Sequence, residues 1–220
     1  MARSGAIAGI LSVLLFLIPV GGLELIATPG GQDSNARYAE EISKNSEQIR
    51  TLIGVYLAIA GVLAFGWFVT VLVRRIETTG TLRELTGVAG SLLVVVSGLL
   101  IVGLAAMAAL PLSAQFGKDA DVLPADAGRI AWIGLALIFL AAPLVHAALV
   151  AVISVAVIRT RVLPAWTAWV GFLVAFLMLF GLAWAPLISL PIWIICMSVM
   201  LWIRPNLAAT SLRNVPVAVA

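Results

Sequence analysis

Charge is what this chain has least of. Only 10% of its 220 residues are Asp, Glu, Lys or Arg, 63% are hydrophobic, and the mean hydropathy is +1.17. A soluble domain is about 25% charged, so water is excluded as the main solvent of the fold. Cysteine is nearly missing: Cys196 is the single one. That rules out a disulfide within one chain and a cysteine-only metal site, and a lone cysteine inside an apolar run behaves as a small apolar side chain. Histidine also occurs once, at His146. Zinc requires three or four ligands, so no metal centre is expected, and no cofactor. Enzyme signatures are lacking too: no GxSxG elbow, HExxH pair, GxxxxGK phosphate loop or GxGxxG turn occurs. Asp119, Asp121 and Asp126 are spaced too loosely for a calcium loop, which ends in a bidentate Glu. The expected class is therefore not an enzyme. The net charge is +3, but the basic residues stand singly or in pairs at the ends of apolar runs rather than along one face, so nucleic acid is not an expected partner.

What is present is a set of six long apolar runs, at about 6–28, 51–73, 85–112, 130–158, 165–185 and 187–203. A transmembrane helix needs about 20 apolar residues to cross roughly 30 Å of hydrocarbon. The expected fold is all-α: one polytopic transmembrane helix bundle of six spans over residues 1–205, with an outer polar segment at 29–50 and a short cytoplasmic tail at 206–220. The N-terminal run has a basic start like a signal peptide, but it reaches about Thr28 and lacks a good small-residue cleavage site, so it is expected to stay as a span.

The loops orient the bundle. Arg3, Arg74, Arg75, Arg83, Arg159, Arg161, Arg204 and Arg213 fall on one side, eight basic residues with Glu77 and Glu84 beside them. Arg37, Lys44, Arg50, Lys118 and Arg129 fall on the other, five basic residues among seven acids. Lys and Arg counts in short loops set orientation, which predicts both termini in the cytoplasm. Pro186 and Pro191 are expected to bracket the turn between spans five and six, because proline disfavours helix continuation; a re-entrant hairpin is the alternative there. Trp132 and Trp184 near outer ends, and Trp166, Trp169 and Trp202 near inner ends, suit an indole's preference for the headgroup boundary. Trp67 and Trp193 sit deeper and read as packing residues. The outer segment DSNARYAEEISKNSEQIR, Asp33 to Arg50, predicts a short helix capped by Asp33 or Ser34, with a weak apolar stripe at Ala36, Ala39, Ile42 and Ile49.

Helices associate in lipid through close backbone approach and polar contacts. Small residues at spacing four mark Gly5 and Gly9; Gly54, Ala58 and Gly61; Gly87 and Ser91, continuing through Gly98, Ala105 and Ala109; Gly171 with Ala175; and Gly181 with Ala185. These predict contacts within one compact bundle. Oligomeric state is left open.

An ionisable side chain inside a membrane is costly and is a functional candidate for that reason. His146 lies near the middle of the fourth run, three residues after Pro143. Proline frees a carbonyl one turn earlier, near Phe139, and opens the helix locally. Ala142, Val150 and Ser154 share the face of His146, with Ser154 as its one hydroxyl neighbour. The ring suits a proton relay or a ligand contact, or simple burial against a neighbouring helix. Glu24, near Gly21 and Gly22, is placed to pair with Arg129 or to reach the headgroups. His146, Glu24 and Ser154 form the candidate intramembrane polar site.

Three stretches carry a resemblance: RYAEEISKNSEQIRTLIGVYLAIAGVLAFGWFVTVL at 37–72, APLVHAALVAVISVAVIRTRVLPAWTAWVGFLVA at 142–175, and LPIWIICMSVMLWIRP at 190–205. In these the chain resembles the small six-span bacterial membrane proteins, common in actinobacteria, related to the domain-of-unknown-function family numbered 4386. The LPAWTAW element at Leu163–Trp169 is similar to that family's proline-arginine-tryptophan turn, with Ala165 where arginine is usual. The resemblance implies six helices and a plasma-membrane address, and no activity. Two functions are carried forward: a non-enzymatic membrane protein working through the lipid bilayer or an unidentified membrane-protein partner, and a small-solute or proton-coupled transporter using His146.

Overall fold

Backbone N–H and C=O groups cannot be left to water inside lipid, and a helix satisfies them within one segment. The protein follows that rule in a computed structural model, which describes residues 2–19, 38, 40, 42–77, 82–116, 124–180 and 185–203. The described chain is almost wholly helical, and no strand occurs among the described residues. The helices are α1 (Ala2–Leu17), α2 (Asn45–Glu77), α3 (Arg83–Phe116), α4 (Pro124–Ala136), α5 (Ala142–Thr160), α6 (Ala165–Phe180) and α7 (Ala185–Ile203). A π-turn, Leu137–Ala141, joins α4 to α5. Three helical stretches are long and apolar enough to cross a membrane: Asn45–Glu77, Arg83–Phe116 and Gly128–Thr160. Shorter apolar helices occupy the remaining runs, at Ala2–Leu17, Ala165–Leu179 and Ile188–Ile203. The all-α expectation therefore holds, and the chain has the helices of a membrane protein.

The long helices overshoot their apolar runs. Helix α2 has 33 residues, which at about 1.5 Å each rise roughly 50 Å against about 30 Å of hydrocarbon. Charge at its ends favours the extension: Glu47 stands in the first turn and Arg74 and Arg75 in the last, each complementing the helix dipole. Helix α4 starts on Pro124, a position where the missing N–H breaks no helical bond. In the outer segment Tyr38, Glu40, Ile42 and Ser43 are helical; the expected caps Asp33 and Ser34 lie outside the described residues.

The π-turn occurs where Pro143 requires it. Pro143 has no N–H for the Phe139 carbonyl, and its ring crowds that turn. The backbone responds by widening, and the Ala142 N–H donates to the Leu137 carbonyl five residues back. Prolines elsewhere behave differently. Pro191 lies inside α7 rather than at its edge, so Pro186 and Pro191 do not bracket the turn. Helix α7 has already begun at Ala185, and Pro186 falls in its first turn, where proline is tolerated.

Contacts divide the chain into two compact units. The first holds the described residues of Met1–Ile10, Gly66–Leu93 and His146–Ala220. Its core includes Phe68, Leu72, Ile153, Trp193, Met197 and Leu201, all fully buried. Gly5 and Gly9 let α1 approach closely: a Cβ at Gly5 would lie 2.6 Å from Val71 Cγ1, and one at Gly9 would lie 2.8 Å from Phe68 Cδ2 and overlap Ser198 Oγ. The second unit holds the described residues of Leu11–Phe65 and Val94–Val145. There a Cβ at Gly61 would meet the Phe16 backbone nitrogen at 3.0 Å. Gly103 and Gly134 face each other so closely that a Cβ at Gly134 would sit 2.7 Å from the Gly103 carbonyl oxygen.

Two packing expectations are corrected. Gly87 and Gly98 meet no described atom within 4 Å of where a Cβ would stand, so the stripe through Gly87, Ser91 and Gly98 faces outward; Gly103, about 140° of helix turn from Gly98 by the 3.6-residue period, makes the close approach. Gly181 lies outside the described residues. Trp67 is 55% exposed and is not a packing residue. It shares an outward face of α2 with Tyr56 and Leu63, both also exposed.

Candidate functional site

Buried polar side chains in the first unit are Thr86, His146, Ser154, Thr167, Ser189 and Ser198 among the described residues. His146 is 4% exposed, and the residue has an interaction partner within the structure. Ala142, Val150 and Ser154 are buried as well, so the face they share with His146 is the inward one. The π-turn ends one residue before Ala142, and π-turns inside helices are frequent at functional sites.

Ser154 is not a hydroxyl neighbour of His146. Eight residues make two turns, about 12 Å of rise, and Ser154 Oγ instead donates to the Val150 carbonyl at 2.7 Å. Its lateral neighbours are on α6 and α7. A Cβ at Gly171 would overlap Ser154 Oγ and lie 3.1 Å from Trp193 Nε1. One missing methyl on α6 thus lets a hydroxyl of α5 and an indole N–H of α7 come together. Trp193 also sets its ring edge-on to Phe68, with centroids 6.2 Å apart. Trp193 Nε1 and Ser198 Oγ are buried without a hydrogen-bond partner among the described residues. A buried unsatisfied donor costs roughly 1–3 kcal/mol, so each of these two groups is an unfavourable polar placement. The sequence marked Gly171 and Gly9 as small; it held no signal for which tryptophan or serine would face them.

Glu24 lies outside the described residues. In the second unit the phenol of Tyr38 is buried with Ile42, Leu110 and Ala131. Burial pushes its pKa up to about 12, because a phenolate is poorly solvated away from water. Gln48 Nε2 donates to the Ile42 carbonyl at 2.8 Å, and Arg50 pairs with Glu47 at 3.3 Å. Among the described residues no group of three or more His, Cys, Asp or Glu side chains is placed to hold a metal ion. Away from its arginines, the first unit offers one imidazole, several hydroxyls and an indole donor as hydrogen-bonding groups. Comparison of the chain with protein-family models, with curated proteins and with solved structures finds no match.

Proposed function

We propose that the chain is a non-enzymatic, multi-pass protein of the plasma membrane, threaded six times with both termini in the cytoplasm, which acts through contacts with lipid or with another membrane protein. One observation carries this reading: large apolar side chains point outward along every apolar helix described. Val94 is 73% exposed, Leu140 65% and Leu63 64%, with Ile188 and Leu173 similarly placed. Such a surface needs a hydrocarbon partner. The eight-to-five split of basic residues between alternate loops supports the threading. The resemblance to the six-span bacterial proteins of the 4386 family points the same way. Topology reporters fused to each terminus test it; both reporting the cytoplasm is the expected outcome, and opposite compartments would sink it.

A second reading, a small-solute or proton-coupled transporter, is favoured by His146, buried three residues beyond Pro143 and its π-turn. Proteoliposomes scanned for solute and proton flux from about pH 5 to 8, where an imidazole changes charge, separate the two. The first reading expects no flux. A flux abolished by His146→Ala would establish the second.

A further inference from the structure

The contacts of the first unit place its arginines. Gly9 meets Phe68 and Ser198, Phe68 packs edge-on to Trp193, and Gly171 meets Trp193 and Ser154, which joins α1, α2, α7, α6 and α5 at roughly one level. Helix directions follow from the neighbouring contacts. Gly5 packs on Val71 where Gly9 packs on Phe68, so α1 runs antiparallel to α2. The Arg3 guanidinium lies over the Trp202 ring, 5.8 Å from its centroid, while Gly9 meets Ser198, so α1 runs antiparallel to α7 as well. Helix α6 starts where α5 ends, after the tight turn at 161–164. Only four residues separate the end of α6 at Phe180 from the start of α7 at Ala185, too few at about 3.5 Å each to return along a helix, so α6 runs antiparallel to α7. From the shared level, four to seven residues toward the same end of each helix, roughly 6–11 Å of rise, lead to Arg3, Arg74, Arg75, Arg159, Arg161 and Trp202. Trp166 stands at the same end of α6 and is exposed.

This convergence has four features that a threading signal alone does not require. Every basic residue described in the unit is an arginine; the two lysines of the chain, Lys44 and Lys118, both belong to the opposite loops. Orientation is set by Lys and Arg alike, whereas a guanidinium can bind a phosphate with two parallel N–H bonds. Arg3 is held over the Trp202 ring, its guanidinium carbon 5.8 Å from the centroid, a cation–π contact that leaves its N–H donors without a carboxylate partner among the described residues. Arg161 has φ 53°, a left-handed conformation that disfavours a side chain, and it is exposed. The described acids of the unit are Glu77 and Glu84 against six arginines, and Arg3, Arg74, Arg159 and Arg161 form no ion pair with a described acid.

We propose that this arginine collar, with Trp202 and Trp166 at its margin, is a binding site for the phosphates of anionic phospholipids. The proposal rests on the reading that this end of the unit lies at a membrane boundary, and it names the lipid class recognised there. Excess positive charge and exposed indoles match an anionic headgroup layer, and bidentate guanidinium geometry selects phosphate within it.

The test uses the full chain, delipidated in neutral detergent, and follows its unfolding temperature as phosphatidylglycerol, phosphatidylcholine or inorganic phosphate is added. At about a hundredfold excess over the dissociation constant, phosphatidylglycerol is expected to raise the midpoint by roughly 5 °C or more, with phosphatidylcholine and inorganic phosphate giving much less. The triple variant Arg74→Gln/Arg159→Gln/Arg161→Gln is expected to need at least about ten times more phosphatidylglycerol, a loss on the scale of its charge-assisted hydrogen bonds. Lys44→Gln/Lys118→Gln is expected to respond like the natural chain. If the glutamine variant does not fold, Arg74→Lys/Arg159→Lys/Arg161→Lys keeps the charge and removes the bidentate geometry, and a weakened response is expected. Equal stabilisation by phosphatidylcholine, an undiminished response in the glutamine or lysine variants, or full replacement by inorganic phosphate would each overturn the proposal. A chain that stays dispersed without detergent would instead defeat the membrane reading beneath it, before any lipid is added.

Discussion

Tyr38 illustrates what a single polar group experiences in this protein. Its ring is buried against Leu110 and Ala131, and burial raises the phenol from 10.0 to about 12. An unfolded chain ionises the phenol near pH 10 while the folded chain keeps it neutral, so the folded state binds the extra proton between those values and loses stability as pH rises. The tyrosine's contribution is fully present below about pH 10 and declines on the way to pH 12. Tyr38→Phe is expected to leave stability at neutral pH within about 1 kcal/mol, since no described partner is lost, and to flatten the difference in unfolding midpoint between pH 9 and 11, the window about the ordinary tyrosine pKa. A variant whose midpoint falls with pH as steeply as the natural chain would contradict this. The burial of His146 was legible from its position inside an apolar run. The burial of Tyr38 was not, because it comes from a segment rich in charge and depends on where that segment docks.

Helix contacts in the first unit are decided by single missing methyl groups. A Cβ at Gly171 would collide with Ser154 Oγ and crowd Trp193 Nε1, so Gly171→Ala is expected to destabilise by roughly 1–3 kcal/mol, the usual penalty of overpacking. Ser154→Ala removes the colliding oxygen. The double variant is therefore expected to lose clearly less than the two single variants together, a coupling that a double-mutant cycle in thermal unfolding measures. Gly98→Ala supplies the contrast: its Cβ meets nothing described within 4 Å, and a helix gains roughly 0.5–1 kcal/mol when an interior glycine becomes alanine. Additive behaviour at Gly171 and Ser154, or a loss at Gly98, would show that the helices meet on other faces. Spacing identified Gly5, Gly9, Gly61 and Gly171 as contact residues. The same spacing singled out Gly87 and Gly98, which face outward, and passed over Gly103 and Gly134. A motif of small residues states that close approach is sterically allowed; it does not state which of several allowed faces finds a partner.

For the molecule as a whole, the outward direction of its apolar side chains sets the expected environment of each tryptophan. Trp67, Trp132, Trp166, Trp169 and Trp202 are about half exposed or more, and Trp193 is fully buried. Variants retaining one tryptophan at a time, reconstituted in brominated phospholipid, are expected to show strong quenching at Trp67 and Trp169 and little at Trp193, because heavy-atom quenching requires contact with the lipid. Strong quenching of Trp193 would mean that the packed level through Phe68 and Gly171 is absent in the bilayer. What the amino-acid sequence determined by itself is the medium and the local structure: so little charge along such long apolar runs leaves lipid as the solvent and the helix as the backbone form that satisfies itself there. Only tertiary structure decided which face of each helix turns inward, which indole and which serine pack on Gly171, and that Arg3 rests on Trp202. Those contacts join residues far apart in the chain, and in helices apolar on every side no stripe of hydrophobicity marks the inner face in advance.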